Sequence, residues 1–348
     1  MTGIASVTAN ALPLARLTMN SSQEEPGNPN MLVAILAILA GFIILTWSAD
    51  QFVNGAAATA RNFNISPMLI GLTVVSIGTS APEILVSIMA ASQDHASLAI
   101  GNAIGSNIAN IGLVLGVTAL IAPLPVKKSL ARREIPLLVG ISLLAGICIA
   151  NGFLTQLDSL ALLGTLFLTL YLMFRWQKQH PDEPLLEGEE ESAPQLSAGK
   201  AWFYLVSGLL FLLGSSQILV WGATELARLF GVSELLIGLT IVAIGTSLPE
   251  LAASVASAIK GHHDIALGNV VGSNVFNLLA VLPMPGLLAS GTINPQVVWQ
   301  DFPVMMGLTL FLAASCLFGK QPKYLGRIIG FILISFYVAY TGWLFLNN

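Results

Sequence analysis

One stretch of thirteen residues is written twice in this chain. Residues 71–83 read GLTVVSIGTSAPE and residues 238–250 read GLTIVAIGTSLPE, with ten of the thirteen positions identical. A second stretch follows each copy, GNAIGSNIAN from Gly101 and GNVVGSNVFN from Gly268, and both pairs stand 167 residues apart. Any fold for this sequence has to accommodate an ungapped internal duplication.

The surroundings of the repeat narrow the choice of fold. The chain is 55% hydrophobic and 9% charged with a mean hydropathy of +0.80, whereas a soluble domain carries about 25% charged residues. So few charges cannot cover a water-facing surface, which implies a polytopic membrane protein. Cys148 and Cys316 both lie in apolar runs and read as small buried hydrophobes rather than a disulfide.

Residues 1–30 are polar and rich in Pro and Asn, with no basic segment ahead of an apolar core. They read as a disordered tail rather than a signal peptide; Met31 opens the first apolar run, so a later start is also open. A bilayer core takes about 20 apolar residues per helix. Ten spans are expected, at 32–60, 67–92, 97–122, 134–151, 154–176, 200–229, 234–259, 264–289, 296–318 and 323–346. They group into repeats over 31–176 and 200–348. The long break at 177–199 holds Glu187, Glu189, Glu190 and Glu191 among prolines and glycines and reads as a solvated linker.

With the N-terminus outside, twelve of the fourteen Lys and Arg residues fall in inside loops, and only Arg16 and Arg228 lie outside. Basic residues favour the cytoplasmic side, so both termini are expected outside. Five spans per half is an odd number, so the second half enters the membrane from the opposite face. The two copies are then inverted, an arrangement that puts a transport site near the midplane between the halves. The expected fold is all-α, with ten transmembrane helices in two inverted five-helix repeats.

The doubled motif also carries chemistry. Pro82 and Pro249 lack an N–H and break a helix, yet suit the first turn of a new one behind a Ser or Thr. Spans 2 and 7 are therefore expected to be broken. Carbonyls near Ser76 and Ile77 and the hydroxyls of Thr79 and Ser80 would stand at the first break, and Ser247 at the second. Glu83 and Glu250 fall in the first turn beyond each break. A carboxylate at membrane depth is expensive and marks function by default. No basic residue lies at the centre of any span to neutralise these two, which points to bound cations or protons. Asn102, Ser106 and Asn110, spaced four apart, share one helix stripe, and Asn269, Ser273 and Asn277 repeat it; ion coordination and interhelical hydrogen bonding are both open to them. Gly101/Gly105 and Gly268/Gly272 make small faces suited to close helix packing. The donors are all oxygen, a set for hard cations such as Ca²⁺ or Na⁺ rather than zinc or copper. His95, His180, His262 and His263 are expected in loops, exposed to solvent. Asp50 has Gln217 at its repeat position and reads either as a cavity-facing group or as a helix contact.

The paired G-T-S-x-P-E and G-S-N-x-x-N segments resemble the two α-repeats of the sodium/calcium exchangers, within the calcium:cation antiporter superfamily, and the likeness covers residues 32–346. It implies that Glu83 and Glu250 are ligands shared by Ca²⁺ and Na⁺. It implies that Thr79, Ser80, Ser106 and Asn110 complete one half of the site, and Thr246, Ser247, Ser273 and Asn277 the other. The carbonyls of Ser76 and Ala243 fall where the family uses backbone oxygens. In such exchangers three Na⁺ move against one Ca²⁺, and spans 1 and 6 slide over a core of the other eight. Some relatives, including potassium-dependent ones, carry Asp where Asn277 stands, so the resemblance argues against potassium dependence here. The short linker leaves no room for the large regulatory region of eukaryotic exchangers. A compact bacterial-type exchanger in the inner membrane is implied, with the bilayer and the ions as partners and neither nucleic acid, obligatory protein partner nor cofactor.

Antiport of H⁺ against Ca²⁺ is the alternative, because protons compete for paired carboxylates in a low-dielectric site. A channel fits an inverted repeat with broken helices less well, and an intramembrane protease would need an Asp pair or an H-E-x-x-H motif, which the sequence lacks.

Overall fold

A computed structural model describes residues 31–93, 96–179, 194–232, 241, 243–288, 291–318 and 323–347. The tail 1–30, most of the linker, residues 234–240, His95, His180 and Lys320 lie outside them. The described chain is helical: α1 (Met31–Asn62), α2 (Pro67–Thr79), α3 (Ala81–Ser92), α4 (Ala96–Ile121), α5 (Ile135–Ile149), α6 (Gln156–Gln179), α7 (Ala198–Leu229), α8 (Ala243–Thr246), α9 (Leu248–Ile259), α10 (His263–Leu288), α11 (Phe302–Leu317) and α12 (Arg327–Asn347). Among the described residues seven helices are long and apolar enough to cross a membrane, and the bent pair α2–α3 makes up to eight.

The punctuation follows the sequence. Pro67 opens α2 behind Ser66, whose hydroxyl accepts the Leu69 N–H at 3.2 Å. The helix then breaks at Ser80, and α3 leaves at 46° to α2 with Pro82 as its second residue. Ser247 and Pro249 repeat this between α8 and α9. Gly261, at φ +80°, supplies the left-handed turn that sends the chain from α9 into α10.

Two helices occupy the centre. The most apolar stretch of α10 is 100% buried and that of α4 72%, against 22% for α1 and 28% for α7. A β-carbon on Gly268 would meet Met68 O at 2.7 Å, and one on Gly272 would meet Leu72 O at 2.6 Å. The expected close packing at these two glycines is therefore a crossing of α2 over α10 in backbone contact. Their repeat mates Gly101 and Gly105 meet no atom within 4 Å.

α1 and α7 pack on each other along their length. Gly41 faces Leu219, Phe52 faces Gly208, and Gly55 faces Leu205; one number rises as the other falls, so the helices are antiparallel. Gly41 and Gly208 share a repeat position, as do Phe52 and Leu219. The same contact is thus made twice.

Four two-residue strands correct the all-α expectation in detail. β1 (Leu124–Pro125) pairs with β4 (Tyr324–Leu325), and β2 (Phe153–Leu154) with β3 (Gly291–Thr292), both antiparallel. Each pair ties a loop of one half to a loop of the other. The pairs sit at opposite ends of the segment 130–149, which is helical throughout, roughly 30 Å apart at 1.5 Å per residue. Strands this short carry no alternating pattern by which a sequence could announce them.

Candidate functional site

The two helix breaks meet across the halves. Glu83 lies in the first turn of α3 and Glu250 in the first turn of α9, each 1% exposed. The positive end of each helix dipole offsets part of the cost of burial. The Ser80 hydroxyl donates to Glu250 Oε1 at 2.9 Å, so the break of the first half serves the carboxylate of the second. The Thr79 hydroxyl donates to Asn269 Oδ1 at 3.2 Å. Each acidic residue is braced within its own half. Asn102 Nδ2 donates to the Glu83 carbonyl at 3.4 Å; Asn269 Nδ2 donates to the Glu250 carbonyl at 3.2 Å and to Ser254 Oγ at 2.9 Å.

What remains is a cluster of unused polar atoms. Glu83 Oε2, Glu250 Oε2, Asn110 Oδ1, Ser247 Oγ, Ser273 Oγ and both side-chain polar atoms of Asn277 are buried without a hydrogen-bond partner among the described residues. Buried polar atoms in folded proteins are overwhelmingly paired, and each left unpaired costs about 1–3 kcal/mol. These atoms belong to six of the residues that the sequence singles out, and all but the Asn277 nitrogen are oxygens. Asp50, Glu225 and Asp264 form ion pairs, and Glu83 and Glu250 form none among the described residues. No three His, Cys, Asp or Glu side chains gather as a metal group among the described residues. The chemistry on offer is two carboxylates supplemented by neutral oxygens, which suits a hard cation.

Other expected residues fall as follows. Ser106 is buried on α4. Asn110 and Asn277 each begin a widened π-helical turn, Asn110–Leu115 and Asn277–Val281, a local irregularity frequent at functional sites. Thr246 ends α8, and Ala243 opens it at the repeat position of Ser76. The Ser76 carbonyl corrects an expectation. It accepts the Ser80 N–H at 2.9 Å, so the break does not free it. Proline removes the N–H that would reach four residues back, and for Pro82 that carbonyl belongs to Gly78.

Sequence reasoning passed over Asn107 and Asn274, which stand 167 residues apart in the doubled G-S-N. Both are 1% exposed with Oδ1 unpartnered among the described residues. Asn107 Nδ2 donates to Met305 Sδ at 3.5 Å and Asn274 Nδ2 to the Val270 carbonyl at 2.7 Å. Their appearance in both copies was the available signal. Asp50 is a helix contact, paired with Lys260 at 2.5 Å. His262 corrects the reading of a solvent-exposed histidine: it is 3% exposed at the start of α10. Burial, with the nearby charges of Lys260 and His263, pushes its imidazole down to about 4.

The chain is similar to known proteins over most of its length. The family described as sodium/calcium exchanger protein matches residues 33–176 and 200–346. CaxA of Alkalimonas amylolytica is 49% identical over 317 residues, covering 90% of this chain and 99% of CaxA. The sodium/calcium exchanger MaX1 of Methanosarcina acetivorans is 32% identical, covering 90% of this chain and 99% of its own. A solved structure of the sodium-calcium exchanger NCX_Mj, soaked with zero Na⁺ and Ca²⁺, superposes with a TM-score of 0.77 at 31% identity, covering 90% of this chain and 100% of that one.

Proposed function

The chain belongs to the sodium/calcium exchanger family, and from that membership we propose that it exchanges Na⁺ for Ca²⁺ across the membrane by alternating access to one site between its halves. The observation that carries the reading is that Glu83, Glu250, Asn110, Ser247, Ser273 and Asn277 each bury an oxygen that is unpartnered among the described residues. Glu83 and Glu250 are the central ligands. Thr79, Ser80, Ser106 and Asn110 contribute from the first half, and Thr246, Ser247, Ser273 and Asn277 from the second, with the backbone oxygen of Ala243 and that of Ser76, which would share itself between the ion and the Ser80 N–H.

Ten spans in two inverted repeats carry this site. The mirrored antiparallel contact of α1 with α7 supports the inversion. The strand pairs support the ends: β1–β4 joins two loops assigned to the inside and β2–β3 two assigned to the outside. Both termini are then outside, the linker is cytoplasmic, and the membrane is a bacterial inner membrane.

Exchange follows from electrostatics. The empty site holds two negative charges with no basic partner among the described residues. Passing through an occluded, water-poor state in that condition carries a penalty of several kcal/mol per charge. One Ca²⁺ or two Na⁺ cancel the formal charge, and a third Na⁺ leaves the site with a single positive charge. Loaded forms cross and the empty form does not.

Protons are the competing counter-ion, because they can neutralise paired carboxylates in a low-dielectric site. Calcium uptake into proteoliposomes decides between them. An outward Na⁺ gradient at equal pH should drive uptake, and an outward H⁺ gradient without Na⁺ should drive little. The opposite outcome would establish proton antiport.

A further inference from the structure

Among the described residues, α1 covers α9 at one end and α7 does not cover α3 in the same way at the other. The C-terminal half of α1 packs on α9 through Ala49, Phe52, Ala56 and Ala57, against Ala253 and the partly buried Ala252 and Ala256. The repeat-related contact, α7 on α3, has no comparable extent. On α3 the residues at the positions of Ala252, Ala253 and Ala256 are Leu85, Val86 and Met89, and they are 60%, 37% and 60% exposed. The covered end is the one that carries Lys260.

At that end a polar cluster joins the two helices. Lys260 Nζ lies 2.5 Å from Asp50 Oδ1 and donates to Asn54 Oδ1 at 3.1 Å. Asn54 Nδ2 approaches Asp50 Oδ2 at 3.5 Å. The repeat positions of Asp50, Asn54 and Lys260 hold Gln217, Trp221 and Gln93. No charge stands at any of the three, so an equivalent ion pair cannot form at the other end. If the halves were identical, exchanging their conformations would turn one end state into the other at no cost in free energy. A charged contact present at one end alone removes that equality.

We propose that Asp50, Asn54 and Lys260 form a latch that holds α1 on α9 at the cytoplasmic end and favours the state open to the outside. These are positioning residues: they touch no ion, and they set how often the inner end opens. The inference rests on the exchanger reading above, since only an alternating protein has two end states to weigh. Asp50 is half-exposed and Lys260 about a quarter exposed, so water screens the pair and its value is modest. Together with the hydrogen bond to Asn54 it should shift the balance about three- to tenfold.

The test reads conformation rather than transport. Ala253, 0% exposed beneath α1, is replaced by Cys and labelled with a membrane-impermeant maleimide in inside-out vesicles. The parent chain, whose two cysteines are both buried, gives the background. Lys260→Gln, which installs the residue found at the repeat position, and Asp50→Asn should each raise the labelling rate about three- to tenfold. Lys260→Arg should leave it near the parent rate, and the exchanged pair Asp50→Lys/Lys260→Asp should bring it back down. Rates within twofold of the parent in both single variants overturn the latch, as does an exchanged pair that stays as reactive as the single variants. Thermal unfolding of every variant identifies any that misfold, and Asp50→Asn and Lys260→Gln probe the pair from separate helices. Calcium uptake in the same vesicles separates a failed latch, in which exchange persists with unchanged labelling, from a failed exchanger reading, in which uptake is absent from the parent.

Discussion

Replacing Glu250 by Gln should abolish ion exchange and leave the fold intact. The Ser80 hydroxyl donates to Glu250 Oε1 at 2.9 Å, and a glutamine carbonyl can accept that bond unchanged. The other oxygen, Oε2, has no partner among the described residues, and glutamine puts an N–H donor there. The cation then loses one of two charges and meets a positive dipole in its place. Removing one partner of a buried charged contact costs about 3–5 kcal/mol. At about 1.4 kcal/mol per factor of ten, that is a hundred- to several-thousand-fold loss of calcium affinity. The ion-free protein should gain if anything, because a buried charge has gone. Thermal unfolding in chelator should therefore give a midpoint equal to or above that of the parent. The upward shift that calcium produces in the parent by binding the native state should vanish, together with Na⁺-driven ⁴⁵Ca²⁺ uptake. A variant with calcium stabilisation and uptake within threefold of the parent would remove Glu250 from the site and refute the charge argument.

Asn277→Asp, a third carboxylate at a residue whose polar atoms are both unpartnered, should change the ratio of Na⁺ to Ca²⁺ affinity rather than simply stop transport; unaltered selectivity in competition uptake would place Asn277 off the ion path. Gly272→Ala should destabilise the protein by about 1–3 kcal/mol, because the new β-carbon would stand 2.4 Å from Ser76 Oγ and 2.6 Å from Leu72 O; a melting temperature equal to the parent's would contradict the crossing of α2 over α10. His262 gives a pH signature: its folded value of about 4 lies below the unfolded value of about 6.5. The unfolded chain therefore takes up a proton that the folded one refuses, and stability present above about pH 6.5 is lost as pH falls towards 4. His262→Gln should flatten that part of the melting-temperature profile, and an identical profile would show that the imidazole is already charged in the fold.

Much of this site was legible because the chain states it twice. Prolines behind Thr-Ser announced both breaks, and two glutamates without basic neighbours announced the charge. Close packing was suggested by spacing for both glycine pairs, but only Gly268 and Gly272 make it, since Gly101 and Gly105 meet no atom within 4 Å. What stayed hidden depends on contacts between distant segments. Nothing local to Lys260 indicates that its ammonium reaches Asp50, and nothing local to Ser80 indicates that it serves Glu250 rather than its own half's Glu83. The burial of His262 depends on what packs around the turn into α10, and loop sequence does not encode that. The Ser76 carbonyl differs from expectation for a simpler reason: a break frees the carbonyl four residues before the proline, which for Pro82 is that of Gly78.

The central claim is that the two buried carboxylates forbid passage of the empty site. Its most direct measurement is net ⁴⁵Ca²⁺ entry into proteoliposomes buffered at equal pH, with calcium outside and neither Na⁺ nor Ca²⁺ inside. Uptake should stay at the level of protein-free vesicles until internal Na⁺ is supplied, and should then begin at once and respond to membrane potential if three Na⁺ exchange for one Ca²⁺. Rapid net entry with neither internal Na⁺ nor proton release to the outside would contradict the claim, because the empty site would then have returned across the membrane carrying both its charges.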